Sequence, residues 1–127
     1  MNTIFDDPTV KLVYDPARKQ LIQKWIGFAI SEKFREAIDR TVDFVSKNQV
    51  ESIISDTLEQ KVVKPEDTKY ASSVMPQLFQ RGLKKMAFVM PKDVLTQMSV
   101  NSFKKDSTEM QGLNFFSNVN DAQNWIG

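Results

Sequence analysis

The side chains able to bind or react gather in one polar stretch, SDTLEQKVVKPEDTKY, from Ser55 to Tyr70. Within it Asp56, Thr57, Lys61, Lys64 and Thr68 offer a carboxylate, hydroxyls and ammonium groups, a set suited to a partner or a small ligand. Lys61 and Lys64 beside Thr57 or Thr68 would suit an anion. Pro65 followed by Glu66 and Asp67 reads as the first turn of a helix, whose positive end attracts negative charge, although the two carboxylates oppose it. A hard cation would need Glu51, Asp56, Glu59, Glu66 and Asp67, which lack the ligand spacing and glycine of a calcium loop. No metal is expected.

Composition removes other chemistry. The chain has no cysteine and no histidine, which takes away thiolate nucleophiles, disulfides, zinc sites of sulfur or imidazole, and the commonest general base near neutral pH. Catalysis would rest on carboxylates, lysines, tyrosines or hydroxyls with shifted pKa values, and no spacing singles any of them out. No catalytic residue, enzyme activity or cofactor is expected. With 17 basic and 16 acidic residues interspersed, for a net charge of +1, no field draws in nucleic acid or anionic lipid. MNTIFDDPTV lacks the basic and apolar regions of a signal peptide, and no stretch approaches the ~20 apolar residues of a membrane span. The expected setting is the cytoplasm, which the absence of cysteine fits. The expected partner is a protein, a homodimer included.

Secondary-structure elements must position the polar stretch. A length of 127 residues suits one domain, 1–127, with one core. VKLVYDPARKQLIQKWIGF predicts a β-hairpin turned at Asp15-Pro16-Ala17-Arg18, its second arm, with Leu21, Ile22, Trp25, Ile26 and Phe28, being the more central. From Ser31, a capping residue, Phe34, Ala37, Ile38, Thr41, Val42 and Val45 fall at helical spacing. Val50 to Ser55 follows as a short buried strand, and Tyr70 to Arg81 as a second helix that Pro76 must kink or restart. Gly82 releases the chain into an interior strand, Leu83 to Pro91. Asp93 caps a third helix carrying Val94, Leu95, Met98 and Phe103; KKDSTEMQG leads to a strand at Leu113 to Phe116, and Asn118 caps a terminal helix. Phe115, Phe116, Trp125 and Ile126, like Met86, Met90 and Met98, read as core. The order β-β-α-β-α-β-α-β-α predicts an α/β fold: a mixed, mostly parallel sheet of about five strands, an N-terminal hairpin, about four helices and right-handed crossovers.

This order, with IISDTLEQKVVKPEDTKY, GLKKMAFVMP and FFSNVNDAQNWIG, resembles the SpoIIAA-like branch of the STAS/SEC14 superfamily from Val10 onward. The resemblance implies a small bacterial regulatory or protein-interaction domain. In anti-sigma-factor antagonists of that superfamily the phosphorylated serine lies in an Asp-Ser-Ser-Gly-like turn between the third strand and the second helix. Asp56 and Thr57 stand at that place here, but no Ser-Gly follows and a longer polar segment intervenes. Two functions are in view. One is partner binding through the strand-end surface from Asp56 to Thr68, where parallel sheets bind ligands. The other, implied by SEC14-type relatives, is a small apolar or phosphorylated ligand in a pocket beneath that stretch.

Overall fold

Two Asp-Pro dipeptides fold the start of the chain into an antiparallel meander of β1 (Asn2–Asp7), β2 (Val10–Asp15) and β3 (Gln20–Gly27). At the first turn the Asp7 carboxylate accepts from the Thr9 amide at 3.0 Å and from its hydroxyl at 2.6 Å. At the second, Asp15 accepts from the Ala17 amide at 3.1 Å, and Lys19 closes the turn with a φ of 51°. The structure, a computed structural model, describes residues 1–106 and 111–127.

After the meander the chain alternates: α1 (Ser31–Lys47), β4 (Ser52–Gln60), α2 (Pro65–Gln80), β5 (Lys85–Val89), α3 (Val94–Asp106), β6 (Leu113–Phe116) and α4 (Val119–Ile126). The sheet order is β1-β2-β3-β4-β5-β6, with the last three pairs parallel. Successive right-handed crossovers that advance in one direction put their helices on one face. Accordingly α1, α2 and α3 pack side by side there, and α4 turns to the other face against β4, β5 and β6.

The apolar strands follow from this double covering. Along β4 and β5, Ile53, Met86 and Phe88 enter the core under α1 to α3, while their neighbours Ile54, Ala87 and Val89 enter a smaller core with Ala122 of α4. Strands buried on both faces carry continuous apolar runs for this reason. Phe88 ties the larger core to α3 and β6, its ring 4.9 Å from Phe103 and 5.2 Å from Phe115. Gly112 enters β6 at φ 84°, and a Cβ there would lie 2.5 Å from the Lys84 carbonyl oxygen.

The mixed, mostly parallel sheet, the N-terminal hairpin and the four helices agree with the sequence reading, with six strands in place of about five. The added strand is β1, which Ile4 and Phe5 attach to the larger core. Strand β4 runs on to Gln60 and does not stop at Ser55, and α2 begins at Pro65 and not at Tyr70. Helix α2 continues through Pro76, because Pro76 lacks only the one amide that would bond the Ser72 carbonyl and tertiary packing outweighs that loss. Ser31 does not cap α1: Ile30 is the N-cap residue, and the Ser31 hydroxyl donates to Asp67 at 2.6 Å. The caps expected of Asp93 and Asn118 are formed, to the amides of Thr96 at 3.0 Å and Asp121 at 2.8 Å. Of the polar connection KKDSTEMQG, Lys104, Lys105 and Asp106 end α3, and residues 107–110 lie outside the described residues.

Candidate functional site

The polar stretch begins inside the sheet. Asp56 is 8 % exposed in β4, where its carboxylate accepts from the Leu58 amide at 3.1 Å and pairs with Lys24 of β3 at 3.4 Å. Thr57 is buried, and its hydroxyl donates to the Val89 carbonyl of β5 at 2.5 Å. One extra residue in β4 shifts the β3–β4 register between Lys24 and Ile26, a bulge of the kind that re-aims side chains at strand ends. Asp56 and Thr57 therefore lock neighbouring strands and do not stand in an exposed loop, as the sequence reading had them.

Only residues 61–64 connect β4 to α2. Lys61 pairs with Asp93 at 3.7 Å, and Lys64 is exposed. The Lys64 carbonyl takes the amides of Asp67 and Thr68, both at 3.0 Å. With Lys61 paired and the Thr57 hydroxyl committed to Val89, the expected anion cradle is not assembled. Asp67 belongs to a clamp between α1 and α2. Its buried carboxylate accepts from Arg35 Nε at 2.9 Å and from the Ser31 hydroxyl at 2.6 Å. The Arg35 guanidinium lies 4.8 Å over the Tyr70 ring. The Tyr70 hydroxyl donates to Asp39, a bond that raises its pKa above the usual value of 10.0, with partial burial adding to the rise.

Thr68 lies one residue beyond the clamp and opens on different surroundings. It is 5 % exposed and lines a cavity of about 70 Å³ between the sheet and helices α1 to α3. Trp25, Phe34, Met75, Leu78, Phe88 and Phe103 form much of the apolar wall. Five lining residues are polar, and three are satisfied. Gln23 donates to the Thr41 hydroxyl at 2.7 Å, Thr41 donates to the Ala37 carbonyl at 2.9 Å, and the Ser99 hydroxyl exchanges bonds of 3.1 Å with the Val63 amide and carbonyl. Gln60 and Thr68 differ: among the described residues neither side chain has a hydrogen-bond partner. Gln60 is 5 % exposed and lines the cavity, turned to the helix layer by the bulge that precedes it in β4.

Sequence reasoning missed Gln60, Gln23 and Trp25 as site residues. A strand simply continued past the polar Asp56 and Thr57 would have put Gln60 in phase with Ile54 and Leu58, toward α4; the bulge in β4 turns it to the cavity instead, and nothing in the sequence announces that bulge. The same end of the molecule carries an apolar rim. Phe28, Ile30, Val62, Leu95 and Met98 are exposed, by 45 to 65 %, on the β3–α1 and β4–α2 connections and the first turns of α3. Met98 and Leu95 were expected in the core; α3 instead buries Thr96, Val100 and Phe103, which occupy one stripe at helical spacing. Met86 is buried as expected and Met90 half-buried, as is Trp125, whose ring packs on Phe116 at 5.5 Å.

No family model matches the chain, and no curated protein matches it in sequence. Among solved structures it is similar to the crystal structure of an uncharacterised protein of the DUF3478 family with a SpoIIAA-like fold from Shewanella loihica PV-4. The match covers 97 % of this chain and 98 % of that one at a TM-score of 0.60 and 12 % identity. The shared feature is the fold, which is SpoIIAA-like. Among the described residues no helix is long and apolar enough to cross a membrane.

Proposed function

We propose that this chain, with its SpoIIAA-like fold, is a single-domain, non-catalytic module of the STAS-like type whose pocket binds a small apolar ligand. One observation carries the reading: an apolar cavity of about 70 Å³ is lined by two largely buried residues, Gln60 and Thr68, whose polar side-chain atoms keep some accessible surface and have no partner among the described residues. Protein interiors are close-packed, so a gap bordered by accessible polar atoms that no side chain has taken is a place an occupant can fill. The phosphorylated variant of the ligand loses support, because Lys61 is paired and no cation lines the cavity among the described residues. Native mass spectrometry of freshly purified protein tests the reading. A co-purified small molecule supports it. A clean apo mass, together with no thermal shift from a panel of small apolar compounds, removes it.

A second reading, a protein-interaction module that includes a homodimer, is favoured by the exposed rim of Phe28, Ile30, Val62, Leu95 and Met98. Apolar side chains gathered at one end of a molecule mark a contact surface. Sedimentation over a wide concentration range separates the two readings, since a monomer throughout would take the homodimer away. The cytoplasm suits either module, as a chain without cysteine needs no oxidising compartment.

A further inference from the structure

We infer that the pocket selects a neutral ligand, a short apolar group bearing one uncharged hydrogen-bonding function such as an amide, alcohol or ketone, and rejects carboxylates and phosphates. This deepens the ligand-binding reading above and rests on it.

Charge decides the class first. Among the described residues no lining side chain is ionisable to a cation or an anion at neutral pH. Two of the nearby charges are already matched, Arg35 with Asp67 at 2.9 Å and Lys61 with Asp93 at 3.7 Å, and Lys64 and Lys69 are exposed outside the cavity lining. An anion entering the cavity would shed its water without gaining a counter-charge, which is strongly unfavourable.

The polar function follows from Gln60. Its amide carries two donors and an acceptor and has no intramolecular partner among the described residues, although the residue as a whole is only 5 % exposed. Thr68 adds a hydroxyl that can donate or accept. A ligand with a carbonyl or hydroxyl satisfies them, whereas a pure hydrocarbon leaves them as unpaired as before. Size limits the rest. The cavity of about 70 Å³ is smaller than the roughly 150 Å³ cavity that admits benzene in another protein, so the enclosed part is a short chain and not a full lipid tail.

Titration of the 15N-labelled protein at neutral pH with pentanamide, 1-pentanol, pentanoate and pentane tests this, read from backbone amide shifts of β4 and α2. Pentanamide and 1-pentanol should bind at least about tenfold more tightly than pentanoate, about 1.4 kcal/mol. Gln60→Leu should weaken pentanamide several-fold while leaving pentane unchanged, and Thr68→Val is the second variant should Gln60→Leu disturb the fold. Equal or tighter binding of pentanoate overturns the inference, as does an unaltered pentanamide affinity in both variants. If pentane binds but no preference appears, the pocket remains and its selectivity falls. If none of the four probes shifts any lining residue, the ligand-binding reading falls as well.

Discussion

Beneath α1, α2 and α3 the apolar residues Leu21, Trp25, Ile53, Met86 and Phe88 share their layer with Gln23, Thr41, Gln60 and Thr68, and a cavity remains. Beneath α4 the same strands present Ile54, Ala87 and Val89 to Ala122, with Phe116 and Trp125 at the side. Two polar pairs on that face join strands, Gln20 with Ser52 at 3.3 Å and Lys24 with Asp56 at 3.4 Å, while Gln123 Nε2 of α4 is buried without a partner among the described residues. The difference separates two uses of buried polarity. A paired group fixes neighbouring elements, as Thr57 does for β4 and β5 and Asp67 for α1 and α2. Gln60, beside the gap, has no such partner among the described residues.

If the three-helix face is the structural centre, Trp25→Ala should be the most damaging single change. Trp25 is 3 % exposed and packs on Phe34 at 5.1 Å, so its loss should cost about 3–5 kcal/mol in denaturant unfolding. Asp67→Ala should come next, at about 2–3 kcal/mol, because it removes a buried carboxylate that holds two helices together. The figure sits below that of a fully buried pair because the Arg35 side chain is 41 % exposed and regains water. Thermal unfolding of both variants places them in order, and Asp67→Ala without effect would mean that α1 and α2 are held by apolar packing alone.

Trp125→Ala probes the thinner face. The residue is half-buried, resting on Phe116 at 5.5 Å, with the Lys85 ammonium 5.1 Å over its ring and donating to its carbonyl at 2.8 Å. The carbonyl survives the substitution, leaving partial burial and the ring contacts as the loss, about 1–2 kcal/mol. A cost equal to that of Trp25→Ala would erase the contrast between the faces.

Much of the architecture was legible because periodicity and turn chemistry agreed. The runs through Leu21, Ile53 and Phe88 read as covered strands, the Asp15-Pro16 turn made a hairpin, and Asp93 and Asn118 announced helix starts. The candidate site was harder to read, for a physical reason. Asp56 and Thr57 look like loop residues, yet here their polar atoms are satisfied by Lys24, Leu58 and Val89, so β4 continues through them. Stopping the strand early removed Gln60 from it, and the bulge that turns Gln60 toward the helices leaves no mark in the sequence. The α3 error has the opposite form: Val94, Leu95 and Met98 are apolar, but Thr96, Val100 and Phe103 are the residues that face inward, and apolarity alone does not choose between neighbouring stripes. The first strand was missed because its only apolar residues, Ile4 and Phe5, are adjacent and so break period-two alternation, and a bulge interrupts its pairing.

The smallest effect concerns how α3 is attached to the cavity it helps to line through Ser99, Val100 and Phe103. The Asp93 carboxylate accepts from the Thr96 hydroxyl at 2.6 Å and amide at 3.0 Å, and these bonds hold its pKa below the usual 3.8, with Lys61 adding to the shift. A carboxyl depressed in the folded state stabilises fully above its unfolded value and loses that contribution as pH falls below 3.8 through the lower folded value. Amide exchange of Thr96, corrected for intrinsic rates and followed from about pH 5 to about pH 2.5, should therefore lose protection across that window. The Asp7 turn, depressed by the same hydroxyl-and-amide arrangement at Thr9, should loosen with it, while β4 amides stay protected. Asp93→Ala should abolish the pH dependence at Thr96 and leave that at Thr9. Should Thr96 remain protected throughout, α3 is held by Val100 and Phe103 without help from its cap, and the three-helix face is closed by apolar packing as firmly as the face beneath α4.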